Sequence, residues 1–122
     1  MNVLIVDPNR QRRINLERLL EDSGNGFFTA ENKERALGWL AVEKSIELVI
    51  VVFTTPQGHN ELELIGRASG FPEKFPFWIV YDQATDDALV KALKLGVERT
   101  LLTSKLVEEL IQAGIVKSAQ TT

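Results

Sequence analysis

The stretch from Glu47 to Pro56, ELVIVVFTTP, decides the fold. Six apolar residues follow one another from Leu48 to Phe53, whereas a strand with one solvated face alternates apolar and polar residues. Both faces of this strand are therefore predicted to be buried, as in the centre of a parallel sheet that helices cover on both sides. Pro56 ends the strand because proline has no N–H to donate to a neighbouring strand.

Strand-like and helix-like segments alternate five times along the chain. Four further strands are predicted at 3–6, 27–30, 77–81 and 97–102, and each strand precedes a segment with apolar residues at helical spacing. In the fourth helix the predicted buried stripe is Leu89, Ala92, Leu93 and Gly96. The predicted N-caps include Asn9, Asn32 and Ser104. This order predicts an α/β fold with a parallel sheet, helices on both faces and right-handed crossovers.

The composition indicates one ordinary domain spanning 1–122, with a polar C-terminal tail from about 115. The net charge of −3 disfavours direct binding to nucleic acid or to an anionic membrane surface. No cysteine is present, so neither a disulfide framework nor a thiol nucleophile is available. No apolar run approaches the roughly 20 residues that cross a bilayer, and we expect a cytoplasmic protein.

Open α/β sheets bind their ligands at the carboxyl ends of the central strands. At that end of the 47–56 strand the chain carries no carboxylate, and the range 48–60 contains no Asp, Glu or Cys. The sequence also shows no catalytic triad, no carboxylate pair on a plausible cleft and no cluster of metal ligands. The protein is therefore not expected to be an enzyme.

Several short stretches, taken in their order and spacing, resemble the receiver domain of bacterial two-component response regulators. The resemblance implies the CheY-like, flavodoxin-like (βα)5 fold, a doubly wound parallel sheet with strand order 2-1-3-4-5. The stretches that carry it are VLIVD at 3–7, AL at 36–37, ELVI at 47–50, Pro56, LELI at 62–65, KALKLG at 91–96 and LVEEL at 106–110.

In that family an Asp on the third strand accepts a phosphoryl group while Mg²⁺ is bound. Two acids after the first strand help to hold the metal, a Thr or Ser after the fourth strand binds the phosphoryl group, and a Lys after the fifth strand pairs with its oxygens. The chemistry requires such a set because Mg²⁺ takes several oxygen ligands in octahedral geometry. The transferring group also needs positive charge on several sides.

Mapped onto this chain, the resemblance implies a degenerate phosphorylation site. A valine stands where the nucleophile is expected, a proline replaces one acid, a tyrosine followed by an aspartate replaces the Thr or Ser, and a threonine replaces the Lys. These positions are Asp7, Pro8, Val52, Tyr81, Asp82 and Thr103. Valine cannot form an acyl phosphate, so phosphorylation at the usual position is excluded. Because Pro8 and Val52 replace two of the family's metal carboxylates, Mg²⁺ binding is expected to be lost, with Asp7 as a weak metal candidate and no other cofactor.

We interpret the chain as a pseudo-receiver that acts in signal transduction through phosphorylation-independent protein–protein interaction. The expected partner is a signalling protein or an output domain, with a homodimer as a further arrangement. The resemblance implies contact through the fourth helix, fifth strand and fifth helix. The residues of this interaction face are Lys91, Lys94, Glu98, Arg99, Lys105 and Glu109.

Two alternatives remain open. In the first, the chain is a phosphorelay receiver that is still phosphorylated or metal-bound at a non-standard residue, Asp7 or Asp82. In the second, the chain senses a small ligand at the sheet edge. The first loop disfavours a nucleotide or phosphate ligand, because the segment from Asp7 to Arg10 has no glycine to bring backbone N–H groups against a phosphate.

Overall fold

The computed structural model describes residues 1–118. Its strands are β1 (Asn2–Val6), β2 (Gly26–Ala30), β3 (Ile46–Val52), β4 (Phe77–Tyr81) and β5 (Arg99–Leu102). Its helices are α1 (Arg10–Asp22), α2 (Lys33–Val42), α3 (His59–Ala68), α4 (Asp86–Lys94) and α5 (Leu106–Gln112), and a 3₁₀ turn spans Thr103–Lys105. All strand pairs are parallel and the order is β2-β1-β3-β4-β5, which confirms the predicted fold class and strand order.

The central strand β3 is buried on both faces, as its unbroken apolar run predicts. Successive side chains of a strand point to opposite faces. Val49 and Val51 accordingly pack in the cluster formed with α2, α3 and α4, whereas Ile50 and Val52 pack in the cluster formed with α1 and α5. The sheet therefore lies between two helical layers, and its strand ends form the edge at which the predicted site lies.

The helix caps agree only partly with the prediction. Asn9 and Asn32 are N-caps as expected, because their side chains accept hydrogen bonds from the backbone N–H groups of Arg12 and Arg35. Ser104 is not a cap: it lies inside the 3₁₀ turn, and α5 begins at Leu106 without a side-chain cap. The turn takes up the first residues of the predicted fifth helix.

Residues 115–117, which are predicted to begin a polar tail, still pack against the domain after α5. Val116 is 4% exposed and belongs to the apolar cluster beside α1 and α5. The side-chain amide of Asn25 donates to the carbonyl of Ile115 at 2.7 Å, and the N–H of Lys117 donates to the hydroxyl of Ser23 at 2.9 Å. Residues 119–122 of the predicted tail lie outside the described residues.

Within residues 1–118, none of the helices has both the length and the apolar character needed to cross a bilayer.

Candidate functional site

The positions singled out by the sequence meet at one edge of the sheet. Asp7 directly follows β1, Val52 ends β3 and Tyr81 ends β4. Because all strands run in the same direction, their carboxyl ends lie side by side. Val52 and Pro8 line a common cavity of about 160 Å³ between β1, β3, α2 and α3. Pro8 and Asp82 line a shallower opening next to it.

The carboxylate of Asp7 is buried and is bound by Arg12. The Arg12 guanidinium donates from Nε to Oδ2 at 2.6 Å and from Nη2 to Oδ1 at 2.7 Å. The backbone N–H of Asn9 donates to Oδ1 at 2.9 Å, and Arg13 Nη1 donates to the Asp7 carbonyl at 2.7 Å. Asp7 is only 2% exposed. Its negative charge is therefore balanced by a cation of the chain itself.

This ion pair also offsets the unfavourable position of Arg12 in the first turn of α1. Cations at a helix N-terminus are disfavoured by the helix dipole, yet Arg10, Arg12 and Arg13 all lie in the first turn. The hydrogen bond from Arg12 to Asp7, with a further contribution from the charge of Asp82, raises the pKa of Arg12 above its usual value. Asp7 and Asp82 thus face a guanidinium instead of forming the acidic pocket of a cation site.

The residues of this edge do not fit a magnesium ion. Mg²⁺ needs several oxygen ligands, whereas Pro8 and Val52 offer no side-chain oxygen and the Asp7 carboxylate already accepts three hydrogen bonds. In the described part of the chain, no group of three His, Cys, Asp or Glu side chains is placed to hold a metal ion.

A second buried carboxylate, Glu61, lies at this edge and was missed by the sequence analysis. Glu61 is 7% exposed and lines the same cavity as Val52. Its Oε1 accepts a hydrogen bond from the backbone N–H of Thr54 at 3.2 Å, and its Oε2 accepts one from the Thr54 hydroxyl at 3.2 Å. Glu61 belongs to the first turn of α3, so only the path of the chain between β3 and α3 brings it back to the strand end.

Of the remaining predicted positions, only Asp82 carries a charged side chain. Tyr81 is partly buried, and its ring lies 6.5 Å from that of Phe53. Asp82 is exposed. The hydroxyl of Thr103 is buried and has no hydrogen-bond partner among residues 1–118. At the carboxyl end of β5 the chain thus presents a neutral hydroxyl in place of a positive charge.

The predicted interaction face divides into exposed charges and an internal pair. Arg99 donates to Glu109 at 2.5 Å, and its guanidinium lies 4.9 Å from the ring centre of the buried Trp78. These two residues therefore tie β5 to α5. Lys91 and Lys105 pair with neighbours on their own segments, at 3.1 and 3.6 Å. The exposed Lys94 and Glu98 form no ion pair within residues 1–118.

The same region carries most of the exposed apolar side chains. In the described chain seven large apolar residues are exposed, and five of them lie on or next to α4, β5 and α5. We call these five residues the α4–β5–α5 surface: Val90, Leu93, Leu95, Leu102 and Val107. The sequence pattern predicts only charged residues on this face and places Leu93 in the buried stripe of α4. That placement is wrong, because Leu93 is 61% exposed while Ala88 and Ala92 face the sheet.

The fold is the flavodoxin-like receiver fold, and its structural neighbours are response regulator receiver domains of the CheY-like type. A receiver protein from Pseudomonas putida matches with a TM-score of 0.79 and 27% identity over 91% of this chain and 95% of that chain. A response regulator from Thermotoga maritima matches with a TM-score of 0.74 and 26% identity, over 96% and 98% of the two chains.

The non-phosphorylated HemR receiver domain from Leptospira biflexa shares the fold, with a TM-score of 0.78 at 20% identity over 99% and 98% of the chains. No protein-family profile and no curated protein sequence matches this chain. Its structural neighbours are thus receiver domains, which as a class transmit signals and are generally not enzymes.

Proposed function

We propose that this chain is a pseudo-receiver, which takes part in signal transduction by binding another protein and is not switched by phosphorylation at the end of β3. The observation that carries the proposal is Val52. It is 7% exposed, belongs to the apolar cluster beside α1 and α5, and occupies the position that the resemblance assigns to the phosphoacceptor. An aliphatic side chain offers no oxygen to attack a phosphoryl group.

The charges around Val52 support the same conclusion. Phosphoryl transfer depends on positive charge that stabilises the transferring group. Here two nearby cations are already paired. Arg12 is paired with Asp7, and Lys33, which lines the same cavity as Val52, is paired with Glu63. Glu61, which lines the cavity together with Val52, adds negative charge. An incoming phosphoryl group would therefore meet repulsion and no metal ion, and the domain is proposed to work without Mg²⁺ or another cofactor.

The two alternatives are disfavoured by the geometry. Phosphorylation of Asp7 would require its carboxylate to leave Arg12 and the Asn9 N–H and to reach solvent from a buried position. Asp82 is an exposed carboxylate that belongs to no group of three potential metal-ligating side chains within residues 1–118. A small-ligand sensor would need an enclosed pocket of roughly 300–1,000 Å³, whereas the cavity beside Val52 measures about 160 Å³ and the larger openings at this edge, of about 340 and 390 Å³, are shallow and open to solvent.

The proposed partner is a signalling protein or an output domain that covers the α4–β5–α5 surface. Protein interfaces commonly combine an apolar centre with a polar rim. Val90 and Leu93 supply apolar area on α4, and Lys94 and Glu98 lie beside them as charged neighbours. A second copy of this chain is the other candidate occupant of the surface. We propose a cytoplasmic location, and we propose no direct contact with nucleic acid or with a membrane.

Treatment with a small phosphodonor tests the absence of the phosphorylation switch. Amide NMR spectra are recorded with Mg²⁺ before and after addition of acetyl phosphate, and again with the phosphoryl mimic beryllofluoride. We expect no shift at Val52 or Thr54. A receiver that retains its phosphoacceptor Asp serves as a positive control for the reagents. Clear shifts at both residues of this chain would refute the proposal.

Two charge substitutions test the docking surface. Leu93→Glu places a charge on α4, whereas Val42→Glu places the same charge on α2, where Val42 is 74% exposed. We expect proteins captured by the unmodified chain, identified by mass spectrometry, to be retained by Val42→Glu and lost by Leu93→Glu. Sedimentation of the same three proteins separates self-association from binding to another protein. Equal capture by both variants would place the interface elsewhere.

A further inference from the structure

Glu61 is a buried carboxylate without an ion pair. No Lys, Arg or His side chain of residues 1–118 lies within ion-pair distance of it, and it is 7% exposed. Burial of an unpaired charge is costly. What compensates here is the N-terminus of α3, whose dipole favours an acid in its first turn, together with two hydrogen bonds from Thr54. A buried carboxylate does not contribute to surface solubility, so its position at this edge requires another explanation.

Both hydrogen bonds of Glu61 go to the loop that joins β3 to α3, residues 53–58. The far end of this loop is fixed as well, because the Gly58 N–H donates to the hydroxyl of Thr55 at 3.2 Å. The Phe53 ring packs directly over Gly58, where a Cβ atom would lie 2.4 Å from it. Glu61 therefore holds the start of the loop, and the contacts of Gly58 with Thr55 and Phe53 close the loop on itself.

The loop is also joined to helix α4. The carbonyl of Pro56 accepts a hydrogen bond from the backbone N–H of Thr85 at 2.9 Å. Thr85 is the N-cap of α4, and its hydroxyl accepts a hydrogen bond from the N–H of Ala88 at 3.1 Å. A displacement of Pro56 would break its hydrogen bond with the Thr85 N–H and release the N-cap residue of α4.

We propose that Glu61 is a positioning residue that fixes loop 53–58 and, through the bond between Pro56 and Thr85, the start of α4. Its carboxylate stays at the sheet edge permanently, so the loop is held in one arrangement without any covalent modification. Because α4 carries Val90 and Leu93, the same contacts set the position of part of the α4–β5–α5 surface. Only this last consequence rests on the proposed function, since the coupling between Glu61 and α4 is a property of the free domain.

Hydrogen exchange of the free domain tests the coupling. Glu61→Ala removes both acceptors, and Glu61→Gln keeps one oxygen that can accept from the Thr54 N–H. The matched control is Glu63→Ala on the same helix, because Glu63 is half exposed and pairs only with Lys33 and Arg67 at the surface. We expect Glu61→Ala to accelerate exchange at the amides of Thr54 and Thr85 by about tenfold or more, a change typical of the loss of a buried hydrogen-bonding partner.

The expected acceleration of amide exchange is larger for Glu61→Ala than for Glu61→Gln. Glu63→Ala is expected to exchange at nearly the rates of the unmodified protein. The exchange rates of the β1 amides are expected to be unchanged in all three variants. The proposal is overturned if Glu61→Ala accelerates exchange at the Thr54 amide but not at the Thr85 amide. It is also overturned if Glu63→Ala accelerates exchange at these two amides as strongly as Glu61→Ala does. Should Glu61→Ala fail to fold, Thr54→Val removes the hydroxyl donor at nearly constant volume and is expected to accelerate exchange at Thr85 less strongly but measurably. No partner is present in this experiment, so its failure is distinct from a failure of docking.

Discussion

Arg12 binds both carboxylate oxygens of Asp7, with Nε–Oδ2 and Nη2–Oδ1 distances of 2.6 and 2.7 Å. Bidentate pairs of this kind are among the stronger charge-assisted hydrogen bonds. Asp7, the one acid that remains of the metal site expected from the resemblance, is thereby neutralised within a six-residue stretch of sequence, from the residue after β1 to the first turn of α1.

Replacement of Arg12 by Ala is expected to destabilise the domain because Asp7 would remain buried without its cation. Loss of the partner of a buried acceptor costs about 1–3 kcal/mol, and the lower half of that range is expected because the Arg12 side chain is 39% exposed. Urea denaturation measures the change. Arg10→Ala, an exposed neighbour on the same helical turn, is the control and is expected to have little effect.

Gly58 is expected to tolerate no side chain. Its φ of 61° lies in the left-handed region, and a Cβ atom would meet the Phe53 ring at 2.4 Å. Gly24 also has a positive φ, of 83°, but has open space around it. Gly24→Ala should therefore cost only the backbone term of about 1 kcal/mol, and Gly58→Ala should cost clearly more in thermal or urea unfolding. Equal losses would show that the Phe53 contact is unimportant.

A double-mutant cycle at Arg99 and Glu109 measures the link between β5 and α5. Their side chains are 41% and 24% exposed, so the coupling energy is expected to be only about 0.5–1 kcal/mol. Arg99→Ala is expected to destabilise more than Glu109→Ala, because it also removes the cation above the Trp78 ring, worth about 0.5–1 kcal/mol. A larger loss for Glu109→Ala would contradict this assignment of the contacts.

Stability is expected to decrease as the solution is acidified, in part through two surface glutamates. The hydrogen bond from Lys33 lowers the pKa of Glu63, and the hydrogen bond from Lys44 lowers the pKa of Glu73. The unfolded chain therefore binds protons at a higher pH than the folded domain does. The contribution is fully present above the unfolded pKa, near 4.5, and is lost as the pH falls through the lower folded pKa.

The double substitution Glu63→Gln and Glu73→Gln should flatten the pH dependence of the unfolding free energy between about pH 5 and pH 3. The change is expected to be small and to shrink at high salt, because both groups are exposed. Glu21→Gln, at an exposed glutamate that forms no ion pair in residues 1–118, is the control. An unchanged pH profile in the double variant would argue that neither pair persists in solution.

For helix α4, apolar periodicity predicts the position of the helix but not which of its faces is buried. The apolar spacing located the helix correctly and placed Ala92 on its buried face, but it also placed Leu93 there, whereas the second buried residue of α4 is Ala88. Alanine and leucine are both apolar, so the pattern fits two faces of the helix. The close approach of α4 to α3 and the sheet selects the face with small side chains. Leu93, which the pattern assigns to the core, instead forms part of the exposed α4–β5–α5 surface.

The sequence by itself determined the strand and helix order, the burial of β3 on both faces and the missing carboxylate at Val52, because these depend on local periodicity and residue identity. Only the tertiary structure decided that Asp7 pairs with Arg12, that Glu61 returns to Thr54, and that Leu93 faces solvent. Such contacts depend on the path of loops and on the packing of helices against the sheet. No short-range pattern in the chain specifies either.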